Sequence, residues 1–291
     1  AILAVGLASG KVLVYDVRNA RGEALYSSAE AASKHSDVVW QVRWCGRTAR
    51  RCFYSVSADG RVLRWTLMKD KLDCEEACQL RFHSKKKGRR DEQEALLGPL
   101  AVGLCLEFCP TDRYSLLIGT EDGGVYRCST NNSAEYETVY DGHQLAVHRL
   151  RFHPQLPDTF LSAAADWTVK VWQLERGQAL MSFDLGQAVM DADWSPFNPF
   201  CLVALSGERL VLYDLSANQQ LPVADVPVKG GRGATLAFNP KDPVLLIGDS
   251  HGSVSSFKLG ERLSGAALPP DARQAPVAQL RKYIELGSMI D

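Results

Sequence analysis

Six times along its 291 residues the chain ends a short apolar run at a small or polar turn residue, then six positions later places an aromatic or its replacement. The pairs are Ser9 and Tyr15, Asp59 and Trp65, Asp122 and Cys128, Asp166 and Trp172, Gly207 and Tyr213, and His251 and Phe257. Successive aromatic positions lie 50, 63, 44, 41 and 44 residues apart, so three spacings share a period and two carry insertions. A repeat of roughly 40–45 residues suffices for one small sheet, which cannot cover both its faces alone and must stack on its neighbours.

Each complete repeat opens with a strand of alternating apolar residues: Trp40, Val42, Trp44; Leu104, Leu106, Phe108; His148, Leu150, Phe152; Met190, Ala192, Trp194; Ala234, Leu236, Phe238. Period two puts each triplet on one face of the pleat, against the next unit. Four of these strands stop at Pro110, Pro154, Pro196 and Pro240, which have no N–H to continue a ladder. The pattern is that of an all-β WD40 β-propeller. Residues 1–260 read as about six blades, the first incomplete, and 261–291 as a linker and a short C-terminal helix. The first repeat begins at Ala1 and Ile2, in what should be the second strand of its blade. The expectation is therefore an N-terminally truncated propeller, seven-bladed in the full protein, because an open blade edge invites aggregation.

Lys and Arg number 33 against 34 Asp and Glu, a net charge of −1, so no global field favours nucleic acid or anionic lipid. No apolar stretch approaches the ~20 residues that span a bilayer. Among the eight cysteines, Cys105 and Cys109 bracket a strand and lie about 13 Å apart on it, too far to share a metal ion. Cys74 and Cys78 lack a second pair of ligands, so reduced cytosolic thiols are expected, with no metal. Gly6 to Lys11 resembles a phosphate-binding loop but has three residues between its glycines and Val12 where a hydroxyl is needed. Gly230, Gly231 and Gly233 lack the strand-to-helix setting of a phosphate cradle, and no cofactor is expected.

Two repeats retain a full polar set, His35, Ser55, Asp59 and Trp65 in one and His143, Ser162, Asp166 and Trp172 in the other. The same register in two blades marks a structural hydrogen-bond chain and not a catalytic triad, which would be singular. Trp167 is a large apolar residue where other repeats carry mostly Gly or a polar residue, which makes it a candidate partner-binding side chain. The turns around Asp59, Asp122, Asp166 and His251 are expected on one rim, and the loops around His35, Gln144 and Gly231 on the opposite one. An insertion from Met68 to Gly98 carries Lys85, Lys86, Lys87, Arg89 and Arg90, then Asp91, Glu92 and Glu94. It reads as a solvated charge run or as a basic finger for an acidic partner such as a tubulin tail. Ser264 to Ala275 looks like a linker. Beyond Pro276, Val277, Leu280, Tyr283 and Ile284 form a stripe at helical spacing with Gly287 as a cap, a helix that should dock on the propeller's side or on a partner.

Lys34-His35-Ser36-Asp37 with Val39 to Trp44, Ser55 to Arg61 leading into Trp65-Thr66-Leu67, Gly119 to Gly123 with Tyr126-Arg127-Cys128-Ser129, Asp166 to Trp172, Phe238-Asn239-Pro240 and Ile247-Gly248-Asp249 resemble the dynein intermediate chains. The likeness is greatest to the outer-arm axonemal intermediate chain 1 group. Thr66 and Cys128-Ser129 depart from a plain Trp-Asp pair in that family's manner. The resemblance implies a non-catalytic scaffold whose propeller grips a dynein heavy-chain tail, while a region N-terminal to it gathers light chains and a second intermediate chain. It implies residence in the cytoplasm and in the axoneme of a cilium or flagellum, with tubulin or docking components as further contacts and no nucleic acid or membrane. The competing reading is a general WD40 interaction module, a ubiquitin-ligase substrate receptor or cargo adaptor, or an inner-arm or cytoplasmic intermediate chain.

Overall fold

A computed structural model describes residues 1–19, 22–31, 33–46, 51–81, 99–228, 230–261, 263–265, 280–282 and 284. They form two compact units, Ala1–Val139 and Tyr140–Asp291. The first contains a three-stranded blade of β1 (Ile2–Gly6), β2 (Val12–Asp16) and β3 (Tyr26–Ser27). Blade two follows with β4 (Val39–Trp44), β5 (Cys52–Ser57), β6 (Arg61–Leu67) and β7 (Leu72–Gln79), and blade three with β8 (Gly103–Phe108), β9 (Ser115–Thr120), β10 (Gly124–Ser129) and β11 (Asn132–Asp141). In the second unit, blade four comprises β12 (Val147–Phe152), β13 (Thr159–Ala164), β14 (Thr168–Gln173) and β15 (Met181–Asp184). Blade five comprises β16 (Val189–Trp194), β17 (Cys201–Ser206), β18 (Arg209–Asp214) and β19 (Ala224–Pro227), and blade six β20 (Gly233–Phe238), β21 (Val244–Asp249) and β22 (Val254–Lys258). Every described blade is an antiparallel meander of sequential strands, the all-β WD40 propeller class read from the repeat.

The second strand of each blade from two to five is buried at all its positions. In β17, Cys201, Val203 and Leu205 pack toward Leu236, Leu245 and Ile247 of blade six. The alternate Leu202 and Ala204 pack with Leu161, Ala163, Val169 and Val171 of blade four. In the first unit, Val12 and Val14 meet Phe53, Leu63 and Trp65, while Tyr54 and Val56 meet Leu106, Leu116 and Ile118. Each such side chain contributes about 1.5–3 kcal/mol when fully buried, so stacking supplies most of the stability that a lone meander lacks.

The opening strands do not keep the expected alternation. In blades two to six the register slips after the first residue, between Val39 and Gln41, Gly103 and Cys105, Val147 and Arg149, Val189 and Asp191, and Gly233 and Thr235. This β-bulge leaves Trp40, Leu104, His148, Met190 and Ala234 outside the ladder. Trp40 is 56% and Met190 39% exposed, whereas Ala192 and Trp194 of the same expected triplet are buried. The residues between the buried ones form a polar ladder across first strands. Arg43 donates to Glu107, Arg149 donates to Asp191 through both sides of its fork, and Arg151 Nε donates to Asp193 at 3.3 Å. Asp191 also accepts from the Thr235 hydroxyl and the Leu236 N–H, both at 2.9 Å, which ties blades four, five and six at one carboxylate.

At the C-terminus Leu280, Arg281, Lys282 and Ile284 are helical. Leu280 and Ile284 are buried in the core shared by blades four and five, and Arg281 donates to Asp158 at 2.8 Å. Of the two docking surfaces that the stripe allowed, these residues occupy the one on their own unit.

Candidate functional site

Blades two and four carry the same polar chain. In blade two, β5 places Ser55 inside the sheet, the β5–β6 turn presents Asp59, β6 brings Trp65, and the segment before β4 supplies His35. Trp65 Nε1–H donates to Ser55 Oγ at 2.7 Å, the serine hydroxyl to His35 Nε2 at 2.7 Å, and His35 Nδ1–H to Asp59 at 3.0 Å. In blade four the distances are 2.8 Å from Trp172 to Ser162, 2.6 Å from Ser162 to His143 and 2.9 Å from His143 to Asp166. An indole N–H can only donate and a carboxylate only accept, so a neutral imidazole between them holds its proton on Nδ1. Burial alone would raise both carboxyls. Bonds from His35, the Ser36 N–H and Arg61 outweigh it at Asp59, and those from His143 and Thr168 at Asp166, holding each far below the usual carboxylate range.

Both serines are fully buried, so no substrate reaches their hydroxyls. The other repeats explain what the serine is for. Four residues before the turn position stand Val5, Ile118, Val203 and Ile247, and the matching aromatic positions hold Tyr15, Cys128, Tyr213 and Phe257. Serine occurs only where tryptophan does, because only an indole brings a buried N–H that needs an acceptor. Blade three carries the turn carboxylate without the serine and tryptophan. Asp122 accepts one long bond, from Tyr126 Oη at 3.3 Å, and its buried Oδ1 has no hydrogen-bond partner.

The loops before the first strand and the turns after the second lie at the same end of each blade, contrary to the opposite rims expected. His35 meets Asp59, His143 meets Asp166, and His251 Nδ1 donates to the Gly230 carbonyl at 2.6 Å. The reason is plain connectivity. A strand that starts at one end is followed by an antiparallel strand that returns there, so the next turn shares that end.

At that end of the second unit stands Trp167. Its φ is 74°, the only positive value outside glycine among the described residues, at the turn position that Gly10, Gly60, Gly123 and Gly252 occupy with values of 78°, 74°, 88° and 82°. A side chain in this left-handed region costs about 1–2 kcal/mol. The Trp167 carbonyl accepts the Leu185 N–H at 2.9 Å, which fixes the turn, while the indole is 53% exposed. It borders a groove of ≈ 780 Å³ that also takes in Gln187, Met190, Glu208 and Arg232. Three glycines, Gly186, Gly207 and Gly233, also line the groove and contribute no side chain to it. The repeat pattern assigns Met190 to a packed face and says nothing of Arg232, since one sits on a bulge and the other in a glycine-rich loop. Lys85, Lys86, Lys87, Arg89 and Arg90 lie outside the described residues. Burial pushes the Cys74 thiol up to about 12, which suppresses the reactive thiolate.

Residues 134–173 match the family model described as WD domain, G-beta repeat. The chain is 33% identical over 99% of its length to ciliary dynein intermediate chain 2 of Heliocidaris crassispina. It is 34% identical over 100% to the 78 kDa intermediate chain of the flagellar outer-arm dynein of Chlamydomonas reinhardtii, and 30% identical over 100% to axonemal dynein intermediate chain 1 of Bos taurus. It spans 42%, 44% and 41% of those relatives, less than half of their length. A chain in the crystal structure of the mitotic checkpoint complex shares its fold, with a TM-score of 0.69 over 89% of this chain and 71% of that one at 18% identity.

Proposed function

We propose that the chain is the propeller part of a non-catalytic scaffold subunit of an axonemal outer-arm dynein, the premise being its whole-length likeness to axonemal intermediate chains. It binds a dynein heavy-chain tail and helps assemble the motor on doublet microtubules for ciliary or flagellar beating. The observation that carries this reading is the extent of the similarity, 34% identity over 100% of the chain to an outer-arm subunit, where a general WD40 module would share little beyond the repeat. The physical character of the described units supports it. Blades are pinned to one another by buried side chains and by charged bonds between first strands, so their loops form a preformed surface. An interface of standard size, ~1,600 Å², needs only a few such loops in a row. A second intermediate chain and light chains would bind through the region N-terminal to the propeller, and the protein would reside in the cytoplasm and the axoneme. The buried His, Ser and Asp sets serve as blade hydrogen bonds in this reading.

The test is to tag the full-length protein in ciliated cells, extract axonemes with high salt and sediment the extract. Co-sedimentation with outer-arm heavy chains, and loss of outer arms from axonemes lacking the protein, is the expected result. Intact outer arms without it, or co-purification with a ubiquitin ligase in place of dynein, would overturn the assignment.

A further inference from the structure

Trp167 holds an exposed indole at a turn position that four other blades fill with glycine, so its side chain is kept against the backbone's own preference. Strain of this kind persists where a side chain serves something other than the fold. Beside it, the bulge residue Met190 adds an exposed thioether, and Ala188 and Ala234 line the same groove. Arg232 is exposed on the loop before β20, and among the described residues no carboxylate pairs with its guanidinium. Arg209 is neutralised by Asp225, which leaves Glu208 as the one other uncompensated charge on the groove.

We propose that this groove of the second unit docks a short peptide segment of a protein partner in which a single carboxylate lies close to an aliphatic side chain. The carboxylate pairs with Arg232, whose planar fork accepts it bidentately, and the aliphatic group enters between Trp167 and Met190 over the glycines. Glu208 sets the limit on charge. With one arginine and one glutamate uncompensated, the groove offers one carboxylate a partner and gives further carboxylates none, Glu208 disfavouring any that lie near it. A polyacidic tail is thereby the wrong occupant, and a mixed apolar and acidic segment the right one. The groove's volume matches sites that hold a few side chains and not a whole domain face. The proposal holds whether or not the partner belongs to a dynein.

The experiment selects a displayed library of random dodecapeptides on the full-length protein, with the Trp167→Ala protein as counter-selection. Recovered peptides are then synthesised and titrated by fluorescence anisotropy against wild type, Trp167→Ala and Arg232→Glu, each checked for an unchanged circular dichroism spectrum. The expected peptides carry one Asp or Glu near Leu, Ile or Met and lose about tenfold or more in affinity to either variant. Replacing the peptide's acid by Lys should abolish binding to wild type and restore it to Arg232→Glu. Failure to recover any peptide that depends on Trp167, recovery of peptides lacking an acidic residue, or tighter binding as acidic residues accumulate would each overturn the proposal.

Discussion

Replacing Asp166 by Ala removes a carboxylate that accepts from His143 Nδ1–H at 2.9 Å, the Gln144 N–H at 3.0 Å, the Thr168 N–H at 3.2 Å and the Thr168 hydroxyl at 2.7 Å. The four donors are not equal in consequence. His143 is fully buried, so its ring N–H loses its charged acceptor and keeps only the neutral Thr168 hydroxyl oxygen at 3.1 Å, at a cost of about 1–3 kcal/mol. Gln144 is exposed and Thr168 half-buried, so water replaces most of what they lose, at about 0.5 kcal/mol each. The sum is about 2–4 kcal/mol, a fall in Tm on the order of 10 °C for a cooperative unit of this size. Asp122 at the equivalent turn of blade three is the control. It has one 3.3 Å bond and a buried oxygen without a partner, so Asp122→Ala should leave Tm nearly unchanged or raise it. Differential scanning calorimetry on the two variants decides the matter. Equal losses would mean that the carboxylate serves the turn alone and that the His, Ser and Trp beyond it add nothing. A pH series sharpens the result. The folded carboxyl of Asp166 lies below its ordinary unfolded value of about 3.9, so the unfolded chain binds more protons as pH falls past that value. Stability is then fully present above about pH 4 and lost below it, and Asp166→Asn should flatten that acid limb.

Trp167→Gly should be more stable than Trp167→Ala by about 1 kcal/mol, the reverse of the usual ranking, because only the alanine retains the left-handed strain; urea midpoints of the two variants test the order. The His153 ring, driven down to about 4 by burial and only partly supported by its bond to the Pro199 carbonyl, is neutral when folded and charges near 6.5 when unfolded. Stability should therefore decline as pH drops from 6.5 toward 4, and the urea midpoint of His153→Gln should change less between pH 7 and pH 5 than that of wild type. Leu280→Ala should destabilise the second unit by about 2–4 kcal/mol, as a buried core leucine does, measured by chemical denaturation. Reversing the charge of Lys85, Lys86, Lys87, Arg89 and Arg90 should leave folding intact and weaken cosedimentation with microtubules only at low salt, where screening is weak; identical binding at every salt would leave a solvated charge run.

The fold was legible because the repeat is written in turn chemistry. A residue such as Gly60 sits at φ 74° where a built Cβ would come within 2.8 Å of Leu100, so the turn and its glycine could be read together. The polar sets were legible for the same reason, since Ser and Trp stand a fixed ten residues apart across one hairpin. The first strands were misread at their start. Alternation was carried straight through Trp40 and Met190, and no residue there announces a bulge, which arises from register against the second strand. The charged bonds between first strands are not legible in the sequence because their partners lie 42 to 64 residues apart, in separate repeats. The place of Arg232 is not legible in the sequence, because nothing local links it to the turn holding Trp167, 65 residues earlier.

Since the bulged residue in each first strand forms no ladder bond, its identity is nearly uncoupled from the folding of its blade. The five such positions hold Trp40, Leu104, His148, Met190 and Ala234, which differ in size, polarity and capacity to titrate, while the residues just beyond them remain committed to packing, to hydrogen bonds or to ion pairs. Copying the blade therefore copied a vacancy for variation along with the scaffold. A chain assembled in this way can acquire recognition chemistry one substitution at a time without renegotiating its core, and Met190 beside Trp167 is where two such freedoms meet.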